Sequence, residues 1–331
     1  MVRRALLKVL AVCLLLSSVS RVPVSMAGTL LVLKDKLGRR VRVEVPVKRA
    51  VVIVGYEIIP ALKAENQVIG VSRWAVNLCD LYKKLVKRYP WLEKNQIGTG
   101  VDLNIETIFK LHPDLIITWT YQKNMVDFLT SHGFKVFTIY PDSIKELFKV
   151  IETEGILFGK KKRADFVIKE TQRLLNFVRN RVKQIPKQKR LVIIHVGMKP
   201  NVVACKKGIA SELIRLIGGI NPAVTINARD TEVSLEKIYA WNPDVIFIWG
   251  SAKYGPEFFY SHPEWSFIRA VKNHRIYKLP NWSTWSPRVA LIALYMAKKA
   301  YPEYFKDVDF SKVAKSFCKE IFGFSCSITN H

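Results

Sequence analysis

Short strand-type runs of apolar residues alternate with longer amphipathic stretches along most of the chain. Helix-type stretches lie at residues 78–87 and 105–111, between such runs. Strands alternating with helices at this spacing predict an α/β fold with mainly parallel sheets. The first two runs flank a polar turn and predict a hairpin. The strand-type runs cover residues 29–33, 40–45, 50–54, 68–71, 115–117 and 191–196.

The middle of the chain contains no strand-type run. Apolar residues recur there at helical spacing, first up to Gly159 and then from Ala164 to Ile185. If continuous, the second stretch is a helix about 36 Å long, and Pro186 marks its end. We therefore predict two lobes joined by one long helix. The predicted ranges are an N-terminal α/β lobe over 28–142, a helical segment over 143–185 and a C-terminal α/β lobe over 186–331.

One helix–turn–strand pattern occurs twice, at a fixed offset of 130 residues. Each copy has an N-capping residue, a glutamate in the first helical turn, a Pro-Asp turn and a buried strand that ends in Trp. Each feature has an ordinary structural explanation, but their joint recurrence predicts two lobes of shared architecture. The paired positions are Asn104 and Ser234, Glu106 and Glu236, Asp114 and Asp244, and Trp119 and Trp249.

Residues 1–27 have the three-part pattern of a secretory signal peptide. Basic residues precede the apolar run at 9–16, and Ser25-Met26-Ala27 offers small residues for cleavage. The run is too short to span a bilayer comfortably, and the position of Cys13 within it argues against lipidation. We predict an exported protein of the periplasm or cell envelope. Whether it is free or tethered stays open.

The chain carries a formal net charge of +26, with 53 Lys and Arg against 27 Asp and Glu. Such an excess suggests an anionic partner. The charge is spread along the whole chain, and its short clusters at 160–163 and 187–190 do not form a basic arm. Because the protein is predicted to be exported, we expect no nucleic-acid partner. The role of the charge stays open.

Four cysteines follow the predicted signal peptide, and none forms a C-x-x-C pair. In an oxidising compartment Cys318 and Cys326 could form a local disulfide. We interpret Cys79 and Cys205 as free buried thiols.

Together these residues resemble the substrate-binding proteins of ABC importers for iron–siderophore complexes, haem and cobalamin. The resemblance covers nearly the whole chain after residue 27, and the two Glu…Pro-Asp units are its strongest signature. Other matching stretches are Val68-Ile69-Gly70-Val71-Ser72, residues 211–223, residues 270–277, Trp285-Ser286-Pro287-Arg288 and Tyr301-Pro302-Glu303.

The resemblance implies two Rossmann-like α/β lobes joined by a single long helix, with the ligand cleft between the lobes. It implies a monomeric binding protein rather than an enzyme, with no cofactor of its own and an ABC permease in the cytoplasmic membrane as partner. Glu106 and Glu236 occupy the positions at which such proteins dock into arginine pockets of the permease. Two separated carboxylates would set register and charge complementarity on a symmetric partner.

Candidate ligand-binding residues follow the strands that point toward the lobe interface. Trp and Tyr can stack on flat ligands, and Arg can pair with carboxylates and oxyanions. About half of the aromatic candidates are expected to be ordinary core or rim residues, and His195 is interpreted as structural rather than as a metal ligand. The predicted ligand-binding residues are Tyr56, Arg73, Trp74, Trp119, Tyr121, Trp249, Trp282, Trp285 and Arg288, and Glu57, which follows the same strand as Tyr56, is a further candidate.

Two other functions are alternatives. The first is an exported hydrolase with a dispersed site, which no motif supports. Gly98-Thr99-Gly100 lacks the third glycine of a dinucleotide fingerprint, and no nucleophile elbow or zinc-binding His pair occurs. The second rival keeps the fold and binds a small oxyanion such as molybdate. The resemblance favours an iron–siderophore complex as ligand, with haem or cobalamin as alternatives of the same class.

Overall fold

The computed structural model describes residues 28–327, so the predicted signal peptide lies outside the described residues. The chain begins with the predicted antiparallel hairpin of β1 (Thr29–Lys34) and β2 (Arg40–Val45). Asp35 is buried in its turn and accepts hydrogen bonds from the Arg39 amide at 2.8 Å and from the Thr138 hydroxyl at 2.8 Å. Through Asp35 the hairpin is fastened to the first lobe.

A four-stranded parallel sheet forms the centre of the first lobe. Its strand order is β4-β3-β5-β6, and the β5 residues Leu115, Ile116 and Ile117 are fully buried, as expected for a sheet covered on both faces. The elements are β3 (Ala50–Val52), α1 (Ile58–Leu62), β4 (Val68–Val71), α2 (Arg73–Leu78), α3 (Asp80–Arg88), α4 (Trp91–Lys94), α5 (Ile105–Leu111), β5 (Leu115–Trp119), α6 (Lys123–Ser131) and β6 (Val136–Ile139). The helix predicted at 78–87 corresponds to α3, which begins at Asp80 because the chain leaves the helical conformation at Cys79; the preceding α2 was not predicted.

Two helices, α7 (Ile144–Leu157) and α8 (Lys161–Val182), follow the first lobe's sheet, and α8 is the long helix that leads to the second lobe. They meet at Gly159, whose φ of +65° suits glycine. The 22 residues of α8 correspond to a length of about 33 Å. The helix ends three residues before the predicted end, and its buried face includes Val167, Leu175 and Val178. The long connecting helix predicted from the sequence is confirmed.

The second lobe has a five-stranded sheet of order β11-β10-β7-β8-β9. Strands β11, β10 and β7 are parallel, whereas β8 and β9 are antiparallel additions that the sequence did not predict. The elements are β7 (Ile193–Val196), β8 (Val202–Ala204), α9 (Ile209–Leu216), β9 (Asp230–Glu232), α10 (Leu235–Trp241), β10 (Val245–Ile248), α11 (Pro256–Ser261), α12 (Arg269–Lys272), β11 (Ile276–Lys278), α13 (Val289–Ala300) and α14 (Phe310–Phe322).

The duplicated pattern folds into the same local structure in both lobes. Asn104 caps α5 by accepting a hydrogen bond from the Thr107 amide, and Ser234 caps α10 in the same way from Lys237. Both helices end at a residue with positive φ. In each copy the aspartate of the turn accepts a hydrogen bond from a backbone amide that lies just before an earlier strand, β3 in the first lobe and β7 in the second. The residues involved at these ends are His112 (φ 43°), Asn242 (φ 40°), Asp114 and Asp244.

The C-terminal segment returns to the first lobe. Arg163 of α8 donates to the Ile321 carbonyl of α14 at 2.6 Å, and the Ser327 amide donates to Asp80 at 2.8 Å. Cys318 and Cys326 form a disulfide at the end of α14, while Cys79 and Cys205 are free and buried. The predicted range 186–331 for the second lobe therefore contains a stretch that packs on the first.

Glu154 of α7 is fully buried, and neither carboxylate oxygen has a hydrogen-bond partner among the described residues. Burial raises the pKa of Glu154 well above its usual value, so the folded protein holds it neutral. We expect Glu154→Leu to raise the free energy of unfolding by about 1–3 kcal/mol at neutral pH, because it removes an unpaired buried polar group.

The effect of Glu154 on stability depends on pH. A raised folded-state pKa stabilises the protein below the unfolded value of about 4.3 and loses that stabilisation as the pH rises. Urea unfolding should therefore show the advantage of Glu154→Leu growing with pH. Glu152→Leu, an exposed change on the same helix, is the control. An equal gain in the control, or no gain for Glu154→Leu, would contradict the assignment.

Candidate functional site

A cavity of about 630 Å³ lies between the two lobes. The first lobe contributes the segment that follows β6, and the second lobe contributes the carboxyl ends of β7 and β10, where ligands of open α/β sheets commonly bind. The segment after β11 reaches the cavity through Trp285. Side chains that line it include Tyr140, Asp142, His195, Met198, Lys199, Lys207, Arg229, Asp230, Trp249 and Trp285.

Five aromatic side chains form a continuous row that runs from the surface of the first lobe into the cavity. Successive rings meet edge to face, with centroid separations of 5.6, 5.2, 5.1 and 4.6 Å. The Tyr121 and Tyr140 hydroxyls lie 2.6 Å apart. Burial and this hydrogen bond raise the pKa of Tyr140 above its usual value, so its hydroxyl stays protonated. The row consists of Trp74, Trp119, Tyr121, Tyr140 and Trp285.

A charged bridge connects the lobes beside this row. Arg229 of the second lobe pairs with Asp142 of the first, with Nη2 3.1 Å from Oδ2, and its guanidinium lies 4.2 Å from the centre of the Tyr140 ring. Lys36 of the hairpin turn also contacts Asp142, at 3.2 Å. Burial disfavours the ionised carboxylate, but the Arg229 and Lys36 hydrogen bonds hold the pKa of Asp142 below its usual value. A cation is thus fixed over an aromatic ring at the cavity wall.

His195 lies on β7 with its side chain almost completely buried, at the cavity. Burial lowers the pKa of His195 to about 4, so the imidazole is neutral at physiological pH. Within residues 28–327, no group of three or more His, Cys, Asp or Glu side chains is arranged to hold a metal ion.

The lowered pKa of His195 predicts a loss of stability in acid. Below the ordinary histidine pKa of about 6.5, His195 is protonated in the unfolded chain but stays neutral in the folded protein. The free energy of unfolding therefore falls as the pH drops toward about 4. We expect a loss of up to about 3 kcal/mol over this window. His195→Leu should reduce the acid sensitivity, measured by urea unfolding, and exposed His132→Leu should not. The same acid sensitivity in wild type and His195→Leu would contradict the buried neutral state.

The structure brings several of the residues predicted from sequence together. Trp249 and Trp285 line the cavity, and Trp74, Trp119 and Tyr121 extend the aromatic row. Arg73 lies at the surface 3.9 Å from Asp102, beyond the cavity lining. Tyr56 is partly buried, and its ring packs edge to face on Tyr82 at 5.7 Å.

Arg288 and Trp282 lie away from the cavity, which differs from their prediction as ligand-binding residues. Arg288 has 0% of its surface exposed and donates to the Glu57 carboxylate at 2.6 and 2.9 Å and to Asp80 at 2.6 Å. Trp282 is buried with its ring 5.3 Å from the guanidinium. Burial alone would lower the pKa of Arg288, but Glu57 and its other neighbours raise it. Arg288, Glu57 and Asp80 form an internal ion cluster, which we call the Arg288 cluster. We assign neither this cluster nor Trp282 to the ligand site.

Glu106 and Glu236 are both exposed, each in the first turn of its helix. The Glu106 side chain has 77% of its surface exposed and pairs with Lys110 at 2.6 Å, which lowers its pKa. A hydrogen bond from Ser234 lowers the pKa of Glu236. Both carboxylates are therefore ionised and accessible at neutral pH.

Sequence reasoning missed Tyr140, Asp142 and Arg229. Tyr140 and Asp142 had a usable signal, because they directly follow β6 in the way that the chosen candidates follow other strands. Arg229 had none, because it precedes β9 in an irregular stretch without a hydrophobic pattern.

Two lobes around an aromatic and charged cleft indicate a ligand-binding protein, but they do not identify the ligand. Residues 55–282 match the sequence profile of the periplasmic binding protein family, which is more than half of the chain. The chain belongs to the periplasmic binding protein family. This confirms the resemblance and the fold predicted from the sequence.

Individual relatives agree with this assignment. YvrC of Bacillus subtilis strain 168, an uncharacterized ABC transporter substrate-binding lipoprotein, is 29% identical over 260 residues, or 76% of this chain and 78% of that protein. Molybdate-binding protein MolA of Haemophilus influenzae is 24% identical over 325 residues, or 88% and 90%. The structure of CeuE from Helicobacter pylori, in a nickel–histidine complex, superposes with a TM-score of 0.80 at 26% identity and covers 90% of this chain and 97% of that chain.

The chain is thus a substrate-binding protein of an ABC transporter, a class that works outside the cytoplasm with a membrane permease. Among the residues that the structure describes, no helix has the length and apolar character needed to cross a membrane.

Proposed function

We propose that the protein captures a metal chelate in the cavity between its lobes and delivers it to the permease of an ABC importer. An iron–siderophore complex is the ligand we favour, and haem and cobalamin are alternatives of the same class. The observation that carries the proposal is the aromatic row ending at Tyr140 and Trp285 beside the Arg229 guanidinium.

The chemistry of the cavity wall suits such a ligand. Ring edges and faces can pack on flat catecholate, porphyrin or corrin groups. Arg229 and the exposed Lys207 can pair with the negative charge of a ferric chelate or with carboxylate side groups. Asp142 already orients Arg229, so little side-chain entropy remains to be lost on binding.

The cavity size also supports a chelate. A volume of about 630 Å³ falls in the range of sites for drug-sized ligands. A tetrahedral oxyanion would fill a small part of it and would leave most of the aromatic row without contact.

Molybdate is the second candidate. The similarity to molybdate-binding protein MolA over 88% of this chain favours it. Arg229, Lys199 and Lys207 could donate hydrogen bonds to such an oxyanion if the lobes closed further around it.

Two substitutions test the proposed site with a ferric tris-catecholate as the probe. We expect Trp285→Leu to weaken binding about tenfold through lost stacking. Arg229→Gln should weaken it about tenfold to a hundredfold through a lost charge-assisted contact. Quenching of intrinsic fluorescence measures both dissociation constants.

Trp91→Leu is the matched control, because Trp91 is a partly exposed tryptophan of α4 outside the cavity lining. Equal losses in the control, or unchanged affinity in both cavity variants, would contradict the proposed site.

A further inference from the structure

The hairpin of β1 and β2 has one face that packs on the first lobe and one that does not. Val41 and Val43 point inward and are buried. On the opposite face, Leu30 and Val32 are 63% and 55% exposed. The strand register places them opposite or beside charged residues, with Leu30 paired to Glu44, Val32 to Arg42 and Lys34 to Arg40. We call these six residues the hairpin face.

The hairpin face is strongly cationic. Within residues 28–327, Lys34, Arg40 and Arg42 take part in no ion pair, whereas the turn residues Lys36 and Arg39 are paired. Glu44 is the one acidic residue of the face, and its side chain lies directly against Gly28. Cleavage after Ala27, as the sequence predicts, would give Gly28 an ammonium group at this carboxylate. Three cations and two apolar side chains would then remain uncompensated.

Cations mixed with exposed apolar side chains fit a lipid surface better than other anionic partners. Lysine and arginine beside an anionic bilayer each contribute about 1 kcal/mol, and apolar side chains enter the boundary between headgroups and acyl chains. A nucleic acid or a soluble polyanion would bind the cations but gain nothing from Leu30 and Val32.

We propose that the hairpin face docks the exported protein on an anionic phospholipid bilayer. Lys34, Arg40 and Arg42 contact headgroup phosphates, while Leu30 and Val32 enter the interface. This contact would hold the protein near its permease and give part of the high net charge a role. The proposal goes beyond ligand capture and stands whichever ligand the cavity binds.

Co-sedimentation of the exported full chain with vesicles tests the proposal, once its N-terminal residue has been read by mass spectrometry. We expect binding to vesicles of phosphatidylcholine with phosphatidylglycerol and little binding to phosphatidylcholine alone. Arg40→Gln with Arg42→Gln should lower binding about thirtyfold at low salt, which is about fivefold per cation. Leu30→Ser with Val32→Ser should lower it while leaving its salt dependence unchanged.

The control variant loses the same two positive charges at positions outside the hairpin face. Lys187→Gln with Lys189→Gln alters two exposed lysines in the turn after α8 and should leave vesicle binding within about twofold. An equal loss in the control, equal binding to both kinds of vesicle, or no binding to either would overturn the proposal. Binding to a soluble polyanion such as heparin without binding to anionic vesicles would also overturn it. Circular dichroism should confirm that every variant is folded.

Discussion

Replacing both Glu106 and Glu236 by alanine should abolish uptake through the permease and leave ligand affinity unchanged. The two carboxylates occupy equivalent positions of the duplicated unit, one in each lobe, and both are ionised and exposed. Truncating one partner of a charge pair that becomes buried in an interface costs about 2–5 kcal/mol. Each single variant should therefore weaken docking about thirtyfold or more.

Uptake of a labelled ferric chelate by cells that carry the permease measures the transport effect, and fluorescence titration measures affinity. Glu93→Ala with Glu264→Ala is the matched control, because both are exposed first-turn glutamates elsewhere on the surface. Normal uptake by the Glu106 and Glu236 double variant would contradict the docking role. A loss of affinity in that variant would instead place the two residues at the ligand site.

Arg288→Met should cause a large loss of stability. Arg288 is completely enclosed and bonds both Glu57 and Asp80. Removing one partner of a buried ion pair leaves an uncompensated charge and typically costs about 3–5 kcal/mol. The Ser283 amide also donates to Glu57, and the Ser327 amide donates to Asp80. The Arg288 cluster therefore fastens the segment before α13 and the C-terminal tail to the first lobe.

The double variant Glu57→Gln with Arg288→Met separates charge from packing. Because it removes a buried charge along with its partner, it should recover part of the stability lost in Arg288→Met. Urea unfolding at neutral pH measures both. A loss below about 1 kcal/mol in Arg288→Met, or no recovery in the double variant, would contradict the buried ion cluster.

The fold could be predicted from the sequence because its strands and helices are marked by short hydrophobic runs and by local capping residues. Hydrophobic runs such as 68–71 and 115–117 became strands, and the duplicated unit folded with equivalent caps in both lobes. The helix predicted at 78–87 became α3, whose start at Asp80 is set by the extended backbone of Cys79. The antiparallel strands β8 and β9 are three residues each, too short for a period to show.

The candidate site could be predicted only in part, because its geometry depends on contacts between residues that are far apart in the sequence. Arg288 was predicted to face the ligand, yet its partners Glu57 and Asp80 lie 231 and 208 residues away. The bond between Arg229 and Asp142 spans 87 residues and joins two lobes. No spacing rule detects such pairs. The position of Trp249 at the cavity could be anticipated, because residues that follow parallel strands meet at one edge of a sheet.

Titration of the exported protein with a ferric tris-catecholate, haem, cobalamin and molybdate tests the central claim most directly. Quenching of the cavity tryptophans Trp249 and Trp285 reports binding. The account predicts saturable binding of one metal chelate per protein molecule and weak or no binding of molybdate. Saturable binding of molybdate alone, or of none of the four ligands, would contradict it.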